Sequence, residues 1–248
     1  MKKNRQIAAA LLALLASACS GDRGGTLTQE QSLGLFTSLP IYWQPGGALD
    51  ELSAQADGSH WANTALSQSF VIAPMDALTA EELAALDILV MAQPRALSGP
   101  ENVALDQWVR QGGRALVFAD PMLVGHSDFP IGDRRRPQDT VLLSPILARW
   151  GLELMFDPEA PAQIERIAFD GIGFDAIRPG SFRIIDPAGG AQSACELSPD
   201  AMAAWCVVGS GRVLLVADAT LLEDREGGDA SLAVLESLLG IVRDGREN

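Results

Sequence analysis

The chain has 248 residues, 32 of them acidic and 18 basic, for a formal net charge of −14 at pH 7. A field of that sign repels the phosphates of nucleic acids and argues against a nucleic-acid-binding role. Hydrophobic residues make up 48%, yet after the first twenty positions no apolar run reaches the length of a membrane span, so the length suits one sizeable α/β domain.

Residues 1–18 read as a secretory signal. Lys2, Lys3 and Arg5 form a basic start, Ile7 to Ala16 an apolar stretch, and Ala16-Ser17-Ala18 a small-residue cleavage site. Leu15-Ala16-Ser17-Ala18-Cys19 also resembles a bacterial lipobox, with Ala16 where leucine is usual. Lipidation at Cys19 is therefore expected, with anchoring to a membrane through more than one acyl chain. Ser20 in place of aspartate favours the outer membrane, and residues 19–31 read as a polar, flexible tether. Beyond the signal both lysines are gone and 15 arginines face 32 acids, a net of −17.

A single α/β domain is expected over residues 32–245. Leu33 to Trp43 suits a first central strand, and a loop rich in Gly and polar residues follows from Gln44 to His60. Phe70 to Ala73 reads as a second strand, and Thr79 to Leu86 as a short helix with Thr79 and Glu82 as capping box. Leu86 to Pro121 forms one βαβ unit. Its first strand is the apolar run Ile88 to Met91, as burial on both faces requires. Ser98 and Glu101 cap the helix, Pro100 sits in its first turn, Leu105, Trp108 and Val109 mark one face, and Gly112-Gly113 ends it. The second strand runs from Ala115 to Ala119 into Asp120-Pro121. No Ser or Cys stands at the strand-to-helix turn, where this architecture would present a nucleophile.

A long irregular segment, Pro121 to Asp139, carries Arg134-Arg135-Arg136; loops of this length in compact domains are usually functional or disordered. Ser144-Pro145 opens a helix to Trp150, Gly151 ends it, and Leu152 to Phe156 resumes as strand. Residues 160–206 read as a β-rich insertion before the last core strand. Gly211-Arg-Val-Leu-Leu-Val-Ala-Asp218 then echoes Gly113-Arg-Ala-Leu-Val-Phe-Ala-Asp120, which places two strands in one parallel sheet. A final helix from Asp229 to Val242 turns Leu232, Leu235, Leu239 and Val242 toward that sheet. The expected fold class is a flavodoxin-like, mostly parallel sheet flanked by helices.

Asp120 and Asp218 fall at the carboxyl ends of strands, where open α/β sheets bind ligands. They serve there as a polar binding edge or as caps of their own turns. His126 with Asp128 and Asp133 could hold a metal, but His60 is the one other histidine and no His-x-x-x-His or Cys-x-x-Cys spacing exists, so neither metal nor cofactor is expected. Arg134, Arg135 and Arg136 could grip a carboxylate, a phosphate or a partner's acidic face, or pair with the domain's own acids. Cys195 and Cys206 could join in a disulfide in an oxidising compartment or remain two buried thiols. G-x-S-x-G, G-x-G-x-x-G and G-x-x-x-x-G-K-[ST] are absent, so no enzyme is expected.

Ala92-Gln-Pro-Arg-Ala-Leu97, Ala104-Leu-Asp-Gln-Trp-Val109, Gly112-Gly-Arg-Ala-Leu-Val-Phe-Ala-Asp-Pro121, the strand Leu35 to Trp43 and the closing Gly209 to Glu223 together carry a resemblance. The chain resembles the gliding-motility-type auxiliary component of uncharacterised bacterial ABC transport systems, whose domain looks like a class I glutamine amidotransferase without its catalytic cysteine. The resemblance implies an extracytoplasmic partner of an ABC permease and its ATPase, and supplies no catalytic residues. The expected function is a non-catalytic binding or scaffold lipoprotein of the cell envelope facing the periplasm. A divergent hydrolase using Asp120 or Asp218 with His126, or an envelope structural lipoprotein, are the alternatives.

Overall fold

The computed structural model describes residues 31–42, 60–125, 127, 129–133, 135–159, 161, 163–223 and 226–246. The signal, the tether up to Glu30, Cys19, Trp43, His126, Asp128 and Arg134 lie outside the described residues.

In chain order the elements are β1 (Gln31–Thr37), α1 (Trp61–Ser69), β2 (Phe70–Pro74), α2 (Ala80–Ala84), β3 (Ile88–Ala92), α3 (Gly99–Arg110), β4 (Arg114–Phe118), α4 (Ser144–Trp150), β5 (Leu152–Met155), β6 (Ile164–Phe169), β7 (Ile172–Ile177), β8 (Ser181–Ile184), β9 (Ser193–Leu197), β10 (Ala203–Val208), β11 (Gly211–Val216) and α5 (Asp229–Asp244). Seven strands form one sheet in the order β2-β1-β3-β4-β11-β10-β9. The first five are parallel and the last two join antiparallel, so the mixed α/β class and the mostly parallel sheet follow the expectation.

Every residue of β3 is buried because the strand is covered on both faces. One face packs Leu33, Leu35, Ile88, Val90, Leu116, Phe118, Leu214 and Val216 against α1, α5 and the β6-β7 hairpin. The other packs Leu89, Met91, Ala115, Val117, Val213 and Leu215 against α2, α3 and α4. The capping boxes at Thr79/Glu82 and Ser98/Glu101 both form, and Gly151 ends α4 in the left-handed region. The two Gly-Arg…Ala-Asp segments are neighbours in parallel register, Arg114 beside Arg212 and Phe118 beside Val216.

Three features depart from the expected layout. The strand that opens the domain stops at Thr37 rather than reaching Trp43. Helix α1 follows the expected loop directly, with the His60 imidazole capping it: Nδ1 accepts from the Ala62 N–H. Residues 160–206 are not one insertion apart from the sheet. The β6-β7 hairpin stands outside it, β8 pairs with β5, and β9 and β10 extend the main sheet itself. Cys195 and Cys206 face each other across β9 and β10, with Cα atoms 4.1 Å apart, and are joined as a disulfide. Among the described residues no helix is long and apolar enough to cross a membrane.

Candidate functional site

The carboxyl ends of β1, β3, β4 and β11 meet at one edge. Parallel strands bring the residues just past their ends together there, which collects Thr37, Ser38, Gln93, Asp120 and Asp218. Strand order reverses between β1 and β3, so the switch point lies beside Ser38 and Gln93.

Gln93 organises the corner. It is fully buried and left-handed, φ +44°, immediately before Pro94. A non-glycine residue held there is strained, and a following proline restricts the backbone further. Hydrogen bonds hold it on every side. Its Nε2 donates to the carbonyls of Asp120 (3.0 Å) and Gln138 (2.8 Å), and its Oε1 accepts from the Asp120 N–H (2.9 Å). The Ser38 hydroxyl donates to the Gln93 carbonyl at 2.5 Å and accepts from the Gln138 N–H at 2.9 Å. A strained strand-end turn is where α/β hydrolases project a nucleophile. Here the position holds an amide whose oxygen and nitrogen are engaged with backbone.

The same contacts bring the end of the long loop back over the switch point. Gln138 lies against Ser38 and Gln93, the Val141 N–H donates to the Asp120 carbonyl (3.1 Å), and the Leu123 N–H donates to the Asp139 carbonyl (2.9 Å).

Asp120 and Asp218 lie side by side, both with no exposed surface. Asp120 Oδ1 accepts from the Met122 N–H (2.8 Å), while Oδ2 accepts from the Ala219 N–H (3.3 Å). Asp218 accepts from the N–H (2.7 Å) and the hydroxyl (3.0 Å) of Thr220. Each aspartate therefore caps its own turn, and Asp120 also ties the two turns together. Glu223 adds a third carboxylate, its Oε1 accepting from the Gly125 N–H at 2.8 Å. Loss of water raises Asp120 to about 6, with repulsion from Glu223 adding to it, against the bonds it accepts. Burial and then repulsion from Asp120 raise Asp218 to about 7, and burial also pushes Glu223 up.

The described arginines of the basic run are engaged at home. Arg135 pairs with Asp133 at 2.8 Å and lies 4.3 Å from the centre of the Phe129 ring; Arg136 pairs with Asp139 at 2.7 Å. Neither is joined to Asp120 or Asp218 by a hydrogen bond or ion pair among the described residues. No group of three or more His, Cys, Asp or Glu is placed to hold a metal ion among those residues, and His126 is outside them. Gln93, Ser38 and Glu223 escaped the sequence reading. A glutamine before a proline at a strand end was the one available sign, and nothing in the spacing pointed to Ser38 or Glu223. A cavity of about 490 Å³ opens at the opposite end of the sheet, beside Asp87, Trp108 and Gly113, away from the aspartates.

Comparison with known proteins bears on this corner. Residues 47–159 match the model of the family described as an ABC-type uncharacterized transport system. The matched stretch runs from ahead of α1 to just past β5, and so takes in Gln93, Asp120 and the long loop. The match supports the resemblance to an auxiliary component of such systems. No curated protein matches the chain. Similar solved structures include the GH42 β-galactosidase Gan42B, 10% identical with a TM-score of 0.45 over 76% of this chain and 27% of that one. A β-galactosidase from Bacillus circulans sp. alkalophilus is 14% identical, TM-score 0.47, over 85% and 31%. A putative ThuA-like protein from Bacteroides uniformis is 12% identical, TM-score 0.41, over 87% and 94%. The chain spans less than a third of the length of either β-galactosidase.

Proposed function

We propose that this chain is a non-catalytic auxiliary component of an ABC-type transport system, on the far side of the cytoplasmic membrane and presenting its strand-end edge to partner subunits. The observation that carries the reading is the match over residues 47–159, which takes in Gln93, Asp120 and the long loop. The order of the five parallel strands is that of the doubly wound flavodoxin-like class, which supports the amidotransferase-like reading of the fold. The Gln93 amide, occupied by backbone where a nucleophile would stand, supports a binding role over a catalytic one. A Cys195–Cys206 disulfide suits an oxidising compartment, in keeping with export and with a lipid on Cys19. Ser20 keeps the outer membrane as the favoured address, and attachment to a transporter would keep the protein at the inner one.

Asp120 and Asp218 are buried and hold the turns behind the proposed binding edge, and the loop that carries Arg135 and Arg136, with His126 and Arg134 in the same stretch of sequence, supplies its polar groups. The test is affinity purification of the tagged, full-length chain from detergent-solubilised membranes after crosslinking in cells, read by mass spectrometry. Recovery of the permease and ATPase subunits of an ABC transporter is expected, and a Cys19→Ser variant should move to the soluble fraction. Failure to recover any transporter subunit overturns the association, and an unchanged membrane fraction for Cys19→Ser overturns the lipid anchor.

A further inference from the structure

We propose that Asp120, Asp218 and Glu223 form a proton-held clasp, which joins the root of the loop after β4 to the turn after β11 and to the end of β7, and which opens as the carboxyls ionise. Such a clasp works whether or not a transporter is the partner.

The joints between these three segments run through carboxyl groups. Asp120, at the end of β4, accepts from the Ala219 N–H in the turn after β11 (3.3 Å). Glu223, at the far end of that turn, reaches back to accept from the Gly125 N–H in the loop root (2.8 Å). A Cβ at Gly125 would stand 2.2 Å from the Glu223 Oε1, so the bare Cα is what lets the carboxyl close on the loop. Asp218 accepts from the Thr220 hydroxyl (3.0 Å) and so aims its oxygen at the Ile177 N–H (3.2 Å), which fastens the end of β7.

No cation offsets the three groups among the described residues. Arg178, just past β7, gives its guanidinium to the Pro158 carbonyl and lies 5.1 Å from the centre of the Phe156 ring. Arg95, past β3, pairs with Glu101, and Arg135 and Arg136 pair with Asp133 and Asp139. Asp200, before β10, holds Ser198 and Met202. His60 faces the same turn through the Leu222 carbonyl, and its Nδ1 accepts from Ala62, so its own protonation would loosen α1 in acid, with the opposite sign. His126, Asp224 and Arg225 lie outside the described residues.

Ionisation places like charges side by side where water is excluded, and opening the clasp hydrates them. The closed form holds its protons to about pH 6 at Asp120 and about pH 7 at Asp218, and burial pushes Glu223 up as well. An opened carboxyl returns to its ordinary range, so closure is complete in acid and is lost as pH rises through 6 and 7.

The test is hydrogen–deuterium exchange of the full chain at pH 5.5 and pH 8, corrected for the intrinsic chemical rate and read by mass spectrometry. Peptides over 121–125, 171–180 and 217–223 report the clasp, and peptides over 88–92 report the core strand β3. Exchange at the clasp should be on the order of a hundredfold faster at pH 8, with β3 still protected. Asp218→Asn combined with Glu223→Gln keeps acceptors for Thr220 and Gly125 without their charge, and should cut the difference to below about tenfold. Equal corrected rates at the two pH values in the unaltered chain overturn the clasp, as does a full pH response in the double variant. Clasp and β3 peptides exchanging at one shared rate at pH 8 assign the effect to unfolding of the whole domain and overturn it too.

Discussion

Asp218 is surrounded by groups that satisfy its oxygens without neutralising its charge. Thr220 supplies two donors, while Asp120 and Glu223 add negative charge and no arginine or lysine pairs with it among the described residues. Its folded-state value of about 7, and that of about 6 for Asp120, lie above the ordinary 3.8. Between those limits the native state holds protons that the unfolded chain has lost. Their contribution to stability is therefore complete below about pH 4 and is lost as pH rises through 6 and 7. Chemical denaturation should show these residues costing on the order of 4 kcal/mol between pH 5 and pH 8. Asp218→Asn keeps an acceptor for Thr220 and removes the charge, so it should flatten that slope and raise stability at pH 8. An unchanged slope in the variant would place the pH dependence elsewhere. Both aspartates could be found in the sequence because the repeated Gly-Arg…Ala-Asp frame set them at equivalent strand ends. Glu223 could not, and Gln93 only through its place before Pro94, since their roles depend on which distant backbone groups the fold delivers to them.

The repeated frame also has a cause at the level of elements. A Cβ on Gly211 would stand 1.9 Å from the Val109 carbonyl oxygen and 2.4 Å from that of Gly113, both backbone atoms with no room to give. Only a bare Cα lets the start of β11 pass the end of α3, and Arg212 beside it donates to the Val242 carbonyl (2.7 Å) at the end of α5. Gly211→Ala should destabilise the protein by about 3 kcal/mol, whereas Gly240→Ala, inside α5 with open space around it, should stabilise it by about 0.5–1 kcal/mol. Thermal melts of the two variants should move in opposite directions. Strands β3, β4 and β11 and helices α2 to α5 were readable because continuous apolar runs, caps and glycine stops agreed with one another. Helix α1 was not: it has no acidic residue in its first turn, and a histidine is its cap. The pairing of β9 and β10 with the main sheet was hidden too, because alternation in a short strand says which face is buried and not which strand lies alongside.

For the molecule as a whole, the outer part of the sheet depends on its covalent tie. The bond between Cys195 and Cys206 closes a loop with a sequence separation of 11, and a loop of that size is worth about 3 kcal/mol through restriction of the unfolded chain. Reduction, or Cys195→Ala, should lower the melting temperature by on the order of 10 °C in a chain of this length. An equal melting point with and without reductant would leave β9 and β10 held by pairing and packing alone.

The turn from Pro130 to Asp133, with Ile131 at its tip, has a consequence for where the chain can be lengthened. Its feet are fastened by Phe129, Asp133, Arg136 and Gln138, while its tip touches solvent. Replacing the tip leaves the domain's folding energy almost untouched. A short tag or label spliced in there should leave the sheet beneath it intact.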